Sequence, residues 1–189
     1  MQGTSSLFIT VSWDKLNQKK NTTILWMQAR VPNPPQSMGE LLDWARDNPG
    51  RFTHPDPANF MGASFLKQAL ISLVDTPATL QNPVGEVDYA ALTAPLWAWY
   101  DALRPLMWRE GETFPENESI QARLLNDGEI DITISFDPSY AAAAINLGLL
   151  PDTARVFVPE GGTLGNISFV AIPYNAAHAE GAQVVADFL

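Results

Sequence analysis

The spacing of hydrophobic and polar positions changes period several times along this chain, and each change marks an element. Residues 22–29 (TTILWMQA) are rich in β-branched and apolar side chains and predict a strand, which the turn-forming run 31–35 (VPNPP) ends. Ser37 and Glu40 stand at capping-box spacing. Met38, Leu41, Leu42 and Ala45 then recur at helical intervals until Asn48, Pro49 and Gly50 stop the helix. After a short extended piece at 51–54, the run PDPANFMGASFLKQALISLV places Leu66, Ala69, Leu70 and Leu73 on one helical face, behind a first turn of small and polar residues. A third helical pattern covers 89–107, with Pro95 and Pro105 as ends or kinks, and a fourth covers 117–126, closed by Gly128 as a left-handed cap.

Ile130, Ile132, Ile134 and Phe136 alternate with Asp131, Thr133 and Ser135, the period of a strand. It leads into Asp137-Pro138-Ser139, where Asp at the cap and Pro at the first helical position open an alanine-rich helix over 140–147 that Gly148 ends. Residues 153–159 and 167–172 read as further strands, 160–162 as a turn, and Asn175 as the cap of a last helix through Ala186. Strands and helices in alternation predict an α/β fold.

Composition narrows the chemistry. The chain has 189 residues, 46% of them hydrophobic, which suits one globular domain or two small ones. Its net charge of -10, from 11 Lys+Arg against 21 Asp+Glu, opposes the phosphate contacts that dominate nucleic-acid affinity. With no cysteine there are no disulfides, thiolate metal sites or cysteine nucleophiles, and two histidines leave little material for a metal centre. No P-loop, GxSxG elbow or HExxH motif occurs, and no carboxylate pair has a spacing that argues for acid/base work. No run approaches the roughly 20 apolar residues of a membrane helix. The start of the chain lacks the pattern of a signal peptide, and its end falls within the apolar helical run of Val184, Val185, Phe188 and Leu189. Both features predict a fragment of a longer protein.

Three runs, ARVPNPPQSMGELLDWARDNPGRFTHPDPANFMGASFLKQAL (29–70), LLNDGEIDITISFDPSYAAAAINLGLLPD (124–152) and EGGTLGNISFVAIPYNAAHAEGAQVVADFL (160–189), follow one another here. Their order resembles the two-lobed, type II solute-binding proteins of bacterial ABC importers, specifically the extracellular group with the YnjB-like proteins, related to thiamine, iron and polyamine binders. The resemblance implies an α/β lobe built on a mixed, mostly parallel sheet with helices on both faces. It implies residues 22–174 as lobe 2 with its entering and returning hinge strands, and residues 175–189 as the start of a truncated lobe 1 helix. Residues 1–21 form an N-terminal segment without a counterpart in the pattern.

Helix starts at the mouth of a sheet supply donors for a bound solute. The first is at 59–64, where Gly62 and Ala63 either admit a ligand to the backbone, with Ser64 adding a hydroxyl, or let the helix pack on a neighbour. The second is at 135–140, where Asp137 either pairs with a cationic group or only caps the helix, and Tyr140 is placed to stack on a ring. His54 faces the first start, as a contact or as a structural residue. Thr163 and Asn166 belong to a glycine-rich turn before the returning strand, and Tyr174 stands at its exit. Trp97, Trp99, Tyr100 and Trp108 sit at the spacing of core or surface packing.

The resemblance implies a non-catalytic module with no cofactor and no metal, one lobe of a periplasmic or otherwise extracytoplasmic protein. That protein captures a small polar or thiamine-like solute between two lobes and presents it to an ABC permease, with no nucleic acid and no membrane insertion. The alternatives are an enzyme on the same two-lobed fold, which calls for clustered histidines, thiols or paired carboxylates, and a ligand-sensing regulatory domain, which calls for an attached signalling segment.

Overall fold

A computed structural model of the chain describes residues 20–83, 85–159, 163–166, 171–173 and 175–188, with backbone alone at 20, 21, 165, 166 and 188. Asn21–Leu164 forms one compact unit, and the described residues from Gly165 onward belong to a second, together with Lys20. The elements in order are β1 (Lys20–Asn21), β2 (Thr23–Met27), α1 (Met38–Asp47), α2 (Phe60–Leu73), α3 (Tyr89–Leu103), α4 (Glu118–Asn126), β3 (Ile132–Ser135), α5 (Tyr140–Asn146), β4 (Ala154–Phe157), β5 (Gly165–Asn166) and α6 (Ala179–Phe188). Short 3-10 turns lie at Pro77–Gln81, Arg104–Leu106 and Trp108–Gly111.

The first unit is built on a three-stranded sheet in the order β3-β2-β4. β2 runs antiparallel to both neighbours, pairing Thr23 with Ser135 on one side and Ile24 with Phe157 on the other. The α/β class and the mixed sheet are as the sequence predicts, but the described ladders are antiparallel. Among the described residues, a parallel bridge joins Phe52 and Ile132. The reason lies in the crossover. β3, α5 and β4 form a right-sized β-α-β unit whose two strands run the same way, but a slot separates them, and β2 fills it from the opposite direction.

Helices cover both faces because the side chains of β2 alternate between two cores. Ile24 and the partly buried Trp26 face Phe52, Phe65, Leu70, Trp99 and Leu103, in the core beneath α1, α2 and α3. Leu25 and Met27 face Leu124, Leu125, Ile130, Ala141 and Ala144, in the core beneath α4 and α5. All four residues of β3 are buried, although the sequence alternates polar and apolar. Its polar side is covered by α4. Thr133 Oγ1 lies 2.5 Å from Gln121 Oε1 and 2.8 Å from the Thr53 carbonyl, and Ser135 donates to Glu118 at 2.5 Å.

The helix boundaries follow local chemistry. Ser37 caps α1 by accepting from Glu40 N, and the Glu40 carboxylate returns a bond to the N–H of Gln36, one residue before the usual capping-box partner. Pro95 sits inside α3 on its exposed face, so that helix continues through it and ends before Pro105. Trp99 and Tyr100 are buried, Trp97 is exposed, and the Arg109 guanidinium lies 4.2 Å from the Trp108 ring centroid, so the aromatic cluster packs the lobe and its surface. One expectation is corrected in the second unit. Asn175 does not cap α6, because a tight turn closed by Ala176 N to Pro173 O intervenes and the helix starts at Ala179. Most of the strand expected at 167–172 lies outside the described residues.

Candidate functional site

β3 ends at Ser135, and two helix starts flank that end. α2 begins at Phe60 behind its cap Asn59, whose Oδ1 accepts from Met61 N and whose Nδ2 donates to the Glu116 carbonyl at the mouth of α4. The Phe60 ring, 61% exposed, stands 5.5 Å from that of Phe136, the residue after β3. An aromatic pair, one ring exposed and the other half-buried, therefore stands beside the carboxyl end of a sheet strand, the position at which open α/β sheets bind ligands.

Gly62 and Ser64 are buried in α2 and Ala63 is half-buried. A side chain at Gly62 would place its Cβ 2.2 Å from the Asp56 carbonyl oxygen and 2.3 Å from that of Pro55. The small residue thus admits the protein's own backbone, the packing alternative for this position. Gly62→Ala is expected to destabilise the chain by about 2 kcal/mol, because both obstructing atoms are backbone. A fall in urea midpoint at unchanged slope checks this, and an unchanged midpoint contradicts it.

At the second helix start, Asp137 is engaged locally. Its Oδ1 accepts from Ser139 N at 2.8 Å and Ser139 Oγ at 2.7 Å, its carbonyl accepts from Tyr140 N, and its N–H is received by Ser135 Oγ. Asp137 itself remains exposed. The half-buried Tyr140 packs on the second core, and burial, helped by the nearby Glu118 charge, raises its pKa above the ordinary value. Glu118, Ser135, Asp137 and Tyr140 form one polar cluster beside the Phe60–Phe136 pair.

His54 does not reach this face. It is fully buried, packed against Phe65, Tyr100 and Phe114. Its Nδ1 lies 2.6 Å from the Pro55 carbonyl, which fixes the proton there, so Nε2 accepts from Tyr100 OH at 3.1 Å. Burial lowers its pKa to about 4. Here it is a core residue.

Where the chain enters and leaves this unit, a second polar group gathers. Thr163 Oγ1 donates to the Thr22 carbonyl at 2.6 Å, Thr23 Oγ1 to the Ser135 carbonyl at 3.0 Å, and Leu164 N to Gln68 Oε1. Thr22 Oγ1 is buried without a hydrogen-bond partner among the described residues. Thr163 is therefore tied to the first crossing strand. Asn166 lies in β5, in the other unit, and Tyr174 lies outside the described residues.

Sequence reasoning missed Phe60, Phe136, Glu118 and Gln68. The first two stand within the quoted motifs, where an aromatic residue carries no signal of its exposure. Glu118 and Gln121 precede the polar side of β3 by a spacing that only the fold connects. Among the described residues, no three His, Cys, Asp or Glu side chains gather as metal ligands do, and no helix is long and apolar enough to cross a membrane. A concavity of about 400 Å³ lies between the start of α1 and the end of α2, lined by Ser37, Gly39, Ser72, Asp75 and Pro159 among others, and holds none of the expected contact residues.

Comparison with known proteins agrees with this architecture. Residues 4–189 match the model of the family described as bacterial extracellular solute-binding protein. The protein YnjB of Escherichia coli (strain K12) is 41% identical over 159 residues, 84% of this chain and 41% of that protein. Among solved structures, a periplasmic thiamin binding protein superposes with a TM-score of 0.61 at 18% identity, over 90% of this chain and 46% of its own. The apo ferric ion-binding protein A of Pasteurella haemolytica gives 0.61 at 18% identity, over 90% and 49%. A putative spermidine/putrescine ABC transporter from Listeria monocytogenes gives 0.61 at 13% identity, over 89% and 45%. The chain thus spans less than half the length of each of these relatives. Matched by the family model along nearly its whole length, and folded as the periplasmic binding proteins are, this chain belongs to the bacterial extracellular solute-binding protein family.

Proposed function

We propose that residues 22–174 act as one lobe of a two-lobed solute-binding protein that works outside the cytoplasm and delivers its cargo to an ABC permease. The reading rests on one observation above all: two helix starts and the Phe60–Phe136 pair, with the Phe60 ring exposed, converge on the carboxyl end of β3. Helix starts favour an anionic or dipolar group, rings favour a flat face, and the carboxylates of Glu118 and Asp137 favour positive charge. The solute that suits all three is small and polar and carries a ring, as thiamine and its phosphates do. Contacts come from the start of α2 at the exposed Phe60 and the half-buried Ala63, from Asp137 and Tyr140, and from Thr163.

Binding in such a protein shifts the balance between open and closed lobes, so a single lobe holds the solute weakly. The test is a thermal-shift series on the two-lobed protein and on this chain, with thiamine, thiamine monophosphate, spermidine, ferric ion and inorganic phosphate as probes. The two-lobed protein is expected to gain about 5 °C with one organic probe a hundredfold above its Kd, and this chain none. Titration calorimetry showing micromolar binding to this chain alone contradicts the reading, as does selective stabilisation by ferric ion.

A further inference from the structure

We propose that Gln68 is a positioning residue that couples the start of α2 to the segment by which the chain leaves the lobe. The proposal rests on the solute-binding reading of α2, although its test needs no solute. Gln68 lies in the middle of α2 with 3% of its surface exposed, beside the core residues Phe65, Ala69 and Leu70. A buried carboxamide is costly unless its polar atoms are used, and an apolar residue of similar shape would pack there at no such cost. Both ends of this one are used. Oε1 accepts from Leu164 N, and Nε2 donates to Ser72 Oγ at 3.2 Å, which in turn donates to the Gln68 carbonyl at 2.9 Å.

Leu164 is the last residue of the compact unit, and Thr163 before it is tied to Thr22, the second residue of that unit. Entry and exit are therefore bound to each other, and the exit is also bound to α2. Ser64, Gln68 and Ser72 recur every four residues on one stripe of α2, so Gln68 stands just over one turn, about 6 Å of rise, beyond Ser64. A helix is rigid over one turn. Displacement of its start by a bound solute moves Gln68 and, through Oε1, the backbone at which this unit ends. A hydrophobic residue at position 68 would keep the packing and lose that connection.

Amide hydrogen exchange on this chain tests the coupling. Gln68→Met is expected to speed exchange at Leu164 about tenfold while the amides in the middle of α2 keep their protection. Asn59→Ala, which removes the cap of α2, is expected to speed exchange at Leu164 about fivefold in the parent chain and to add nothing in the Gln68→Met background. Equal Leu164 exchange in the parent and Gln68→Met chains overturns the proposal. So does an Asn59→Ala chain whose first helical turn loosens while Leu164 exchanges as before, an outcome readable even if Gln68→Met does not fold. Loss of the solute-binding reading would show in the thermal-shift series and leave these exchange rates unchanged.

Discussion

Replacing Asp131 with alanine is expected to lower the stability of the lobe by about 3 kcal/mol, and its melting temperature by about 6–12 °C. Asp131 is 7% exposed and joins two guanidinium groups. Arg51 grips it with two bonds of 2.7 Å, Nε to Oδ2 and Nη2 to Oδ1, and Arg30 Nε reaches Oδ1. The same arginines donate to the carbonyls of Leu125, Ile130, Gly128 and Glu129, so the carboxylate orients two clamps on the turn between α4 and β3. Without it, two cations face each other with no counter-charge. Their side chains are about a third exposed, and water screens part of that repulsion, which places the effect at the low end of the range for broken buried pairs. Urea denaturation of Asp131→Ala and Asp131→Asn checks it. A loss under about 1 kcal/mol for the alanine chain shows that the clamps hold through the carbonyls alone.

The second large effect is a pH dependence. His54 is neutral in the folded chain, its pKa lowered from 6.5 to about 4, chiefly by burial, against the opposing pull of the Pro55 carbonyl and the Asp56 charge. Above pH 6.5 the ring is neutral in both folded and unfolded chains and contributes no slope. Between pH 6.5 and about 4 the unfolded chain takes up a proton that the folded chain refuses, so stability falls with pH. The total is about 3 kcal/mol, at about 1.4 kcal/mol per unit, and the contribution is flat below pH 4. Carboxylates titrate in the same range, so the measurement is a difference: stability from pH 7.5 to 4.5 for the parent chain and for His54→Gln. The parent curve should be the steeper. Parallel curves would mean that the buried ring accepts its proton without opening the core.

Much of the fold was legible because its signals were local. The Ser37 cap, the Gly128 and Gly148 stops and the 130–136 alternation each sit within a few residues of what they specify. The site was less legible because its chemistry depends on residues distant in sequence. His54 looks like a contact beside a helix start, yet Phe65, Phe114 and Tyr100, the last 46 positions away, make it core. Gly62 looks open to a ligand, yet the carbonyls that fill its space come from a loop whose path the sequence does not announce. Nor does the period of β3 reveal that Gln121 and Glu118 cover its polar side. Asn175 is the converse case, a good cap residue taken up by the turn that Ala176 N and Pro173 O close.

The slot between β3 and β4 also has a consequence for how the chain is made. β2 is synthesised before both its neighbours, and Thr23 meets its partner Ser135 only 112 positions later. At about 5–20 residues per second, the apolar strand waits about 6–20 s on the ribosome before either flanking strand exists. A β-α-β unit completed by its earliest segment therefore folds late, and the run TILWM stays available to chaperones throughout that interval.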